Sequence, residues 1–521
     1  MKEKYIFYRP EWTCGRYSST AKVAIYYNLI EGYSYFFEDY SAMVIDCILS
    51  VGRNGLIDVH KIVTATGIAE ESLLQFCEQL LNLNLLVTSI PNKESILNYR
   101  KKIGEFRRNQ TIITERSVEE KLPIAASNAE REYTTRVGGI TSIMFELTYV
   151  CSEKCIHCYN IGATRNDEVK SGIISNDELN FDDYKRIIDE LDEQGLVKVC
   201  LSGGDPFSKS IAWDIIDYLY KKEIVFDIFT NGQTITKQVE KLADYYPRTV
   251  GVSIYSGDEK EHDYITRIKG SWKKSISVVQ QLSDLGVPMN LKCCVMRPNI
   301  KNYYKVANLA REYGATPQFE ISITDSVEGD KCASRNLRLT PDLMEIVLRD
   351  SNISLYVGKE APNYGGQPRL MTDNACGAGE NSFCITPNGT FIPCCAFHAK
   401  FGNLKSQSIK DILQDNKDLH WWKNLTLNDY EECGKYDYCN YCNLCPGNNF
   451  SEFGTPTKAA ENNCYIAKIR HNLAMKMMNE GYDPLEGLSL SEYLAKLPDF
   501  KEQQKLKREY SNNYCDTEIR R

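Results

Sequence analysis

The sequence has no long apolar segment. No run approaches the roughly 18 consecutive apolar residues that a transmembrane helix requires, and the N-terminus, MKEKYIFYRPEWTCGRYSS, lacks the apolar core of a secretory signal. We therefore expect a cytoplasmic protein without a membrane partner. Disulfides are rare in that reducing compartment, so the 20 cysteines require another explanation.

Positive charge is also scarce. The formal net charge is −8, and residues 1–100 carry nine Lys or Arg against eleven Asp or Glu, a balance of −2. Binding to nucleic acid depends on basic patches, so we expect no nucleic-acid partner. The chain of 521 residues, with 42% hydrophobic and 25% charged residues, has the composition of a globular protein and the length of several domains.

Residues 1–100 form the first predicted domain. Two aromatic runs, 24–30 and 33–38, flank Glu31-Gly32 and predict a β-hairpin. Helical periods follow at 41–52, 59–67 and 70–86, the last with Leu73, Phe76, Leu80 and Leu83 on one face. This order is typical of a winged helix-turn-helix. Because the domain lacks a basic face, we expect it to bind something other than DNA.

The middle of the chain predicts a barrel. Residues 101–138 are charge-dense without an apolar period and predict a linker. From 139 to 330, β-rich runs alternate with amphipathic helices six times, which predicts an α/β fold with a partial (β/α)6 barrel. Function in such folds lies at the C-terminal ends of the strands. CSEKCIHCY, SGGDP and TNG follow the first three strands, so we expect them to meet.

The cysteines concentrate in two regions. Three lie in CSEKCIHCY, residues 151–159, and nine lie in residues 376–470, a segment with little apolar pattern that we expect to need metal to fold. A bridging region, 331–375, precedes that segment, and a C-terminal helical segment, 471–521, follows it. The nine are Cys376, Cys384, Cys394, Cys395, Cys433, Cys439, Cys442, Cys445 and Cys464.

The first cysteine motif offers three thiolates, Cys151, Cys155 and Cys158, in the spacing C-x3-C-x2-C. A zinc site that includes His157 is one alternative, although zinc sites usually pair two close couples across a spacer. An iron–sulfur cubane suits three close cysteines better and leaves one iron free. A free iron is a place for a substrate or cofactor.

This loop, in its position after the first strand, resembles that of the radical S-adenosylmethionine (SAM) enzymes, with His157 at a usually aromatic position. The resemblance implies a [4Fe–4S] cluster on the three cysteines, SAM bound to its free iron, and a 5′-deoxyadenosyl radical that abstracts hydrogen from an unreactive carbon. SGGDP is similar to the family's Gly-Gly-Glu-Pro loop, with Asp205 in place of Glu. The implied cofactor-binding residues are His157, Tyr159, Gly203, Gly204, Asp205, Pro206, Thr230, Asn231, Ser253 and Arg267.

The later cysteines resemble those of the SPASM domain, which binds two auxiliary [4Fe–4S] clusters. The C-x12-G-x4-C element of that domain is present as Cys376, Gly389 and Cys394. The cysteines after residue 430 depart from the family's spacing, which leaves the division between the two clusters, and an open iron in one of them, undecided. Two zinc-ribbon sites are the alternative. The implied ligands are Cys376, Cys384, Cys394, Cys433, Cys439, Cys442, Cys445 and Cys464.

The resemblance also implies a peptide substrate. Anaerobic sulfatase maturases carry Cys-Asp where this chain has Cys394-Cys395, so Cys395 is a candidate catalytic residue. Residues 1–100 resemble the PqqD-like element of peptide natural-product maturases, in which a leader peptide adds as a strand beside the hairpin.

We therefore predict a precursor-peptide maturase of the sactipeptide or ranthipeptide type that forms Cys-to-carbon thioethers. A flavodoxin or ferredoxin would be its electron donor. The alternatives are carbon–carbon bond formation, epimerisation and sulfatase-maturase-like oxidation. A hypothesis from another class is a cluster-bearing winged-helix transcription regulator, for which VHKIVTATGIAEESLL offers one Lys.

Overall fold

The computed structural model describes residues 6–109, 125–160, 177–325, 335–350, 353 and 370–500. Its N-terminal part contains a three-stranded antiparallel sheet and a short two-stranded ribbon. The strands are β1 (Phe7–Tyr8), β2 (Thr13–Ser18), β3 (Val23–Asn28), β4 (Tyr33–Glu38) and β5 (Leu56–Ile57). Strands β3 and β4 pair from Asn28↔Tyr33 to Val23↔Glu38, which confirms the predicted hairpin. The turn needs Gly32, whose φ of 80° favours glycine.

Helices cover one face of this sheet. They are α1 (Asp39–Ser50), α2 (Val59–Thr66) and α3 (Glu70–Asn82). Asp58 caps α2 by accepting a hydrogen bond from the Lys61 backbone N–H, and Gly67 ends that helix in the left-handed conformation. On α3, Leu73 and Leu80 are buried, and Phe76 and Leu83 pack against the same cluster, as the sequence predicted. The winged-helix assignment itself stays a prediction.

Two further helices, α4 (Lys93–Asn109) and α5 (Ala125–Val137), lie around the predicted linker. Helix α4 runs across the predicted boundary at residue 100. Helix α5 packs on the other face of the N-terminal sheet, where Ala129 and Tyr133 join an apolar cluster with Ile25 and Tyr27. Residues 110–124 of the predicted linker lie outside the described residues.

The central part is an open, barrel-like α/β sheet with six parallel strands. They are β6 (Ser142–Glu146), β7 (Lys198–Ser202), β8 (Val225–Thr230), β9 (Thr249–Ser253), β10 (Met289–Cys294) and β11 (Thr316–Glu320). The intervening helices are α6 (Phe181–Glu193), α7 (Ala212–Lys221), α8 (Val239–Ala243), α9 (Glu259–Thr266), α10 (Ser271–Asp284) and α11 (Tyr304–Tyr313). The strand order β11-β10-β9-β8-β7-β6 confirms the predicted partial barrel.

The barrel strands alternate in side-chain direction. Val199, Leu201 and Ile228 point outward and are buried with the helices in the main apolar core. The residues between them point inward, and they include Glu146, Cys200, Asp227 and Lys292. Glu146, Cys200 and Asp227 are buried, and burial shifts the pKa of Glu146, Cys200 and Lys292 toward the uncharged form. The interior of the barrel is therefore polar.

The C-terminal part extends the same sheet. Strand β12 (Ser382–Ile385) pairs in parallel with β6, and β13 (Thr390–Ile392) and β14 (Gly402–Asn403) follow as antiparallel strands. The sequence had predicted little regular structure here. The helices are α12 (Pro341–Val347), α13 (Ile409–Asp415), α14 (Lys417–Lys423), α15 (Pro446–Phe453), α16 (Glu461–Glu480) and α17 (Leu490–Lys496). No described helix is long and apolar enough to cross a membrane. The predicted segments 331–375 and 471–521 lie partly outside the described residues.

Candidate active site at the C-terminal ends of the strands

The loop with Cys151, Cys155 and Cys158 follows β6 and rests on the end of α9. The backbone N–H groups of Lys154 and Ile156 donate to the carbonyls of Thr266 and Ile265, both at 2.9 Å. Since Thr266 ends α9, these bonds also bring Arg267, in the left-handed conformation with φ of 58°, beside the cysteine loop.

The three thiols lie close together in a partly buried pocket. Burial raises the pKa of Cys151 to about 12 and of Cys158 to about 11, and the Cys158 thiol adds to the shift at Cys151. Burial also raises the pKa of Cys155, and the other two thiols raise it further. The site therefore disfavours three bare thiolates and suits a bound cation that replaces their protons.

The glycine loop after β7 touches the cysteine loop through backbone atoms. The N–H of Gly204 donates to Thr148 O at 2.7 Å, and the N–H of Asp205 donates to Val150 O at 3.0 Å. A Cβ at Gly203 would lie 2.4 Å from Thr148 O, and a Cβ at Gly204 would lie 2.4 Å from Val150 O. Two glycines are therefore required for these loops to meet at all.

Asp205 holds the end of β7 to the end of β8. Its buried carboxylate accepts hydrogen bonds from Thr230 Oγ1 at 2.6 Å and from Thr234 Oγ1 at 2.5 Å. Burial raises the pKa of Asp205, and the two hydroxyls oppose that shift. The next residue after β8, Asn231, donates through Nδ2 to Cys151 Sγ at 3.3 Å. Thr234 was missed by the sequence analysis, and only its place four residues after Thr230 marks it.

His157 packs against an aromatic side chain at the end of β9. Its ring lies 4.5 Å from the Tyr255 ring in an edge-on arrangement, and Tyr255 stacks on His262 at 5.6 Å. Burial lowers the pKa of His157 to about 4, and its buried Nδ1 has no hydrogen-bond partner in the described structure. The predicted residue Ser253 hydrogen-bonds Tyr255. The sequence analysis missed Tyr255.

The barrel interior beneath these loops contains a carboxyl group and an ammonium group. Burial raises the pKa of Glu146, which is 2% exposed, to about 7. On β10, the Lys292 Nζ lies 3.2 Å from the centroid of the Phe229 ring. Gly251 leaves room for the Lys292 side chain, because a Cβ at this position would lie 2.9 Å from Lys292 Cδ. Burial lowers the pKa of Lys292. The carboxylate of Asp227 pairs instead with Arg248.

Cys395 reaches into this interior from the C-terminal part. It hydrogen-bonds Tyr159, and the charges of Glu146 and Lys292 act on it. Burial raises the pKa of Cys395 to about 11. Tyr159, predicted as a cofactor-binding residue, thus contacts the candidate catalytic Cys395.

Four of the later cysteines surround one cavity of about 50 Å³. They are Cys433, Cys439, Cys442 and Cys464. Tyr438 also lines the cavity and stacks on the exposed Tyr436 with ring centroids 5.1 Å apart. The fold thus brings together cysteines as far apart in the sequence as Cys433 and Cys464, which are separated by 31 positions.

A second group lies nearer the barrel. Burial raises the pKa of Cys394, and the Cys395, Cys445 and Cys376 thiols raise it further. Cys384, on β12, is buried beside Cys394 and Cys395. Among the described residues, no three His, Cys, Asp or Glu side chains converge closely enough for a single metal ion. A [4Fe–4S] cluster binds each thiolate at a different iron, so its ligands lie further apart than those of one ion.

Comparison with known families decides the class of this site. Residues 145–314 match the Radical SAM superfamily, and residues 376–446 match the SPASM iron–sulfur cluster-binding domain. The chain carries a radical SAM domain and a SPASM domain. Its two domains indicate SAM and [4Fe–4S] clusters as cofactors, and the partly buried thiols on the loop after β6 fit a cluster of this kind.

Curated proteins similar to this chain include biosynthetic proteins. The antilisterial bacteriocin subtilosin biosynthesis protein AlbA of Bacillus subtilis is 25% identical over 397 residues, 74% of this chain and 79% of that protein. The mycofactocin maturase MftC of Mycolicibacterium smegmatis is 27% identical over 58% of this chain and 76% of its own length. The AdoMet-dependent heme synthase of Methanosarcina barkeri is 25% identical over 58% of this chain and 90% of its own length.

A solved structure shares the fold of this enzyme. Streptococcus suis SuiB bound to S-adenosylmethionine superimposes with a TM-score of 0.50 and 14% identity, covering 87% of this chain and 99% of that one. The extent of the match takes in the N-terminal and C-terminal parts as well as the barrel. At this identity the likeness concerns the fold alone.

Proposed function

We propose that this enzyme matures a ribosomally made precursor peptide by forming thioethers between cysteine sulfur and carbon. The similarity to the subtilosin biosynthesis protein extends over 74% of the chain, whereas the similarity to the heme synthase covers 58%. The match to the protein of bacteriocin biosynthesis is thus longer than the match to the heme synthase and includes a part of the chain that the shorter match leaves out. This favours a peptide substrate over a tetrapyrrole.

The N-terminal sheet is the observation that carries the peptide assignment. Among the described strands, β4 pairs only with β3, so its outer edge carries main-chain groups without a strand partner. Phe37 of β4 meets Phe76 of α3 with ring centroids 5.8 Å apart. An extended leader peptide added beside β4 would gain main-chain hydrogen bonds and apolar contact there. This mode needs no basic charge, in agreement with the balance of −2 in residues 1–100.

Cys151, Cys155 and Cys158 would hold the radical cluster. The glycine loop from Gly203 to Pro206, together with the residues at the ends of β8 and β9, would hold SAM. Once bound, these cofactors supply a 5′-deoxyadenosyl radical that removes hydrogen from an unreactive carbon. The other residues that we assign to cofactor binding are His157, Tyr159, Thr230, Asn231, Ser253 and Arg267. A flavodoxin or ferredoxin is our candidate electron donor.

The two groups of later cysteines suggest how the auxiliary clusters divide. We assign Cys433, Cys439, Cys442 and Cys464 to one cluster, because they share one cavity. Cys376, Cys394 and Cys445 would hold the other, because their thiols act on one another. Cys384 is the candidate fourth ligand of that cluster. If Cys384 stays free, one iron of the cluster is open.

Thioether formation needs a proton acceptor as well as a radical. The substrate carbon loses a hydrogen atom, the substrate thiol loses a proton, and one electron must leave as the C–S bond forms. A bound auxiliary cluster would accept that electron. Glu146 is our candidate acceptor, since it is a buried carboxyl in the barrel interior whose pKa of about 7 allows it to hold a proton near neutral pH. Lys292, over the Phe229 ring, is our candidate for binding a substrate carbonyl or carboxylate.

Cys395 favours epimerisation as a second candidate. Inversion of a carbon centre requires a hydrogen-atom donor, and the buried Cys395 thiol lies in the barrel interior beside Tyr159. The two reactions differ in mass change. A thioether lowers the mass of the peptide by two hydrogen atoms, whereas epimerisation leaves it unchanged and incorporates deuterium from heavy water.

The test uses candidate precursor peptides, which are short cysteine-containing sequences sought among the open reading frames next to the gene. The reconstituted enzyme, SAM and dithionite are incubated anaerobically with each peptide, and 5′-deoxyadenosine and peptide mass are measured. We expect nucleoside formation and loss of two hydrogen atoms per cross-link. A variant with Cys151, Cys155 and Cys158 all replaced by Ala should form neither product while retaining the iron of the auxiliary clusters. Nucleoside formation without any change in peptide mass, deuterium content or stereochemistry would refute the proposal.

A further inference from the structure

Among the described residues, the polar contacts between the N-terminal domain and the barrel lie at the end of the barrel where the strands begin. Arg9 is fully buried and forms a two-pronged ion pair with Glu223, which precedes β8, with its shorter contact at 2.5 Å. Arg53 donates to Tyr220 O at 2.7 Å and lies 3.7 Å above the Tyr220 ring. Tyr220 lies in the last turn of α7, and Glu223 lies between α7 and β8.

Helix α4 extends this attachment to the later strands. Arg107 donates to Gly286 O, just before β10, at 3.0 Å, and to Ile30 O in the turn between β3 and β4 at 2.6 Å. Arg108 donates to Ser283 Oγ at 2.9 Å. A Cβ at Gly286 would lie 2.0 Å from Arg100 O, so the helix backbone rests directly on this loop. The attachment thus spans the N-terminal ends of several strands.

Further contacts with the N-terminal domain close the floor of the barrel, the end at which its strands begin. Arg248 Nε donates to Asp227 Oδ1 at 2.9 Å, and its Nη1 donates to Glu130 of α5 at 2.8 Å. Val197 and Val225, at the starts of β7 and β8, are buried in one apolar cluster with residues of β2 and β3. A peptide bound to the N-terminal sheet therefore has no path through the barrel floor among these residues.

The reactive site lies at the opposite end. Cys151, Gly204 and Asn231 all follow the C-terminal ends of their strands. Strand β8 has six residues, which span about 20 Å at roughly 3.3 Å per residue. The layer of the N-terminal sheet adds about 10 Å, and passage around the helices adds about 10 Å more. An extended chain needs about 12 residues for roughly 40 Å.

We propose that the substrates of this enzyme are peptides in which a spacer of at least about ten residues separates the leader strand from the first modified residue. This rests on the proposed function, with the leader bound beside β4. The fixed attachment of the N-terminal domain prevents the leader from approaching the site, so the spacer must cover the distance along the outside of the barrel.

The test uses a precursor peptide that the enzyme modifies in the assay above, with the segment between its leader and its first modified residue replaced by Gly-Ser segments of about 4, 8, 12 and 16 residues. The Gly-Ser residues by which a spacer falls short of the longest one are added after the last core residue. All four peptides then have the same length and composition. Leader binding is measured by fluorescence anisotropy with the reconstituted enzyme. Cross-linking is measured by mass spectrometry under anaerobic turnover.

We expect equal leader affinity in the whole series. Cross-linking should fall at least about tenfold for the two shorter spacers and recover for the two longer ones. Equal cross-linking with the shortest spacer, while the leader stays bound, would overturn the spacer requirement and leave the proposed function standing. Failure of every peptide to bind or react would overturn the proposed function and the spacer requirement with it.

Discussion

Replacement of Glu146 by Gln should stabilise the enzyme at alkaline pH. Burial raises the pKa of this carboxyl from 4.5 to about 7, so the folded state binds its proton more tightly than the unfolded state does. The resulting stability is fully present below pH 4.5 and is lost as the pH rises to about 7. At 1.36 kcal/mol per pKa unit, the loss amounts to about 3 kcal/mol. Gln has the same shape and carries no charge, so E146Q avoids this loss.

The assay is thermal unfolding of the reconstituted enzyme under anaerobic conditions between pH 5 and 8.5. At pH 8 the barrel transition of E146Q should lie roughly 6 to 12 °C above that of the wild type, and the difference should shrink toward pH 5. Glu193→Gln, at the exposed end of α6, is the matched control and should change neither curve. Equal melting temperatures of wild type and E146Q at pH 8 would refute the reasoning. If Glu146 accepts the thiol proton, E146Q should also cross-link more slowly.

Three further substitutions test other parts of the structure. Gly204→Ala places a methyl group 2.4 Å from Val150 O, so we expect loss of SAM binding in equilibrium dialysis with the auxiliary iron retained; normal SAM affinity would contradict the loop contact. Lys292→Met removes the ammonium group from the barrel interior. Peptide turnover should fall about tenfold or more, the loss expected for one charge-assisted hydrogen bond, and SAM affinity should stay unchanged. Weaker SAM binding would instead assign Lys292 to the cofactor. Arg9→Leu leaves Glu223 without its partner and should lower the free energy of unfolding by about 3 kcal/mol; the variant with both residues replaced by Leu should recover part of that loss, and no recovery would show that packing rather than charge is responsible.

Local sequence determined the elements that depend on neighbouring residues. The hairpin of β3 and β4 was predictable because Glu31-Gly32 interrupts two aromatic runs, and the turn glycine adopts a positive φ. The barrel strands were predictable because short apolar runs alternate with helical periods. The loop of Cys151, Cys155 and Cys158 was recognisable because its three thiols lie within eight consecutive residues, so spacing alone limits what they can bind.

Only the tertiary structure decided which distant residues meet. Strand β12 pairs with β6 across more than 230 positions, and no periodic pattern in either strand encodes that partner. Cys395 and Lys292 reach one barrel interior because β12 closes beside β6 and Gly251 leaves room over Phe229. The sequence determined the chemical groups and their local geometry. The packing of the N-terminal domain on the barrel floor determined the distance between peptide recognition and the reactive site, because buried ion pairs and close backbone contacts exist only after the chain has folded.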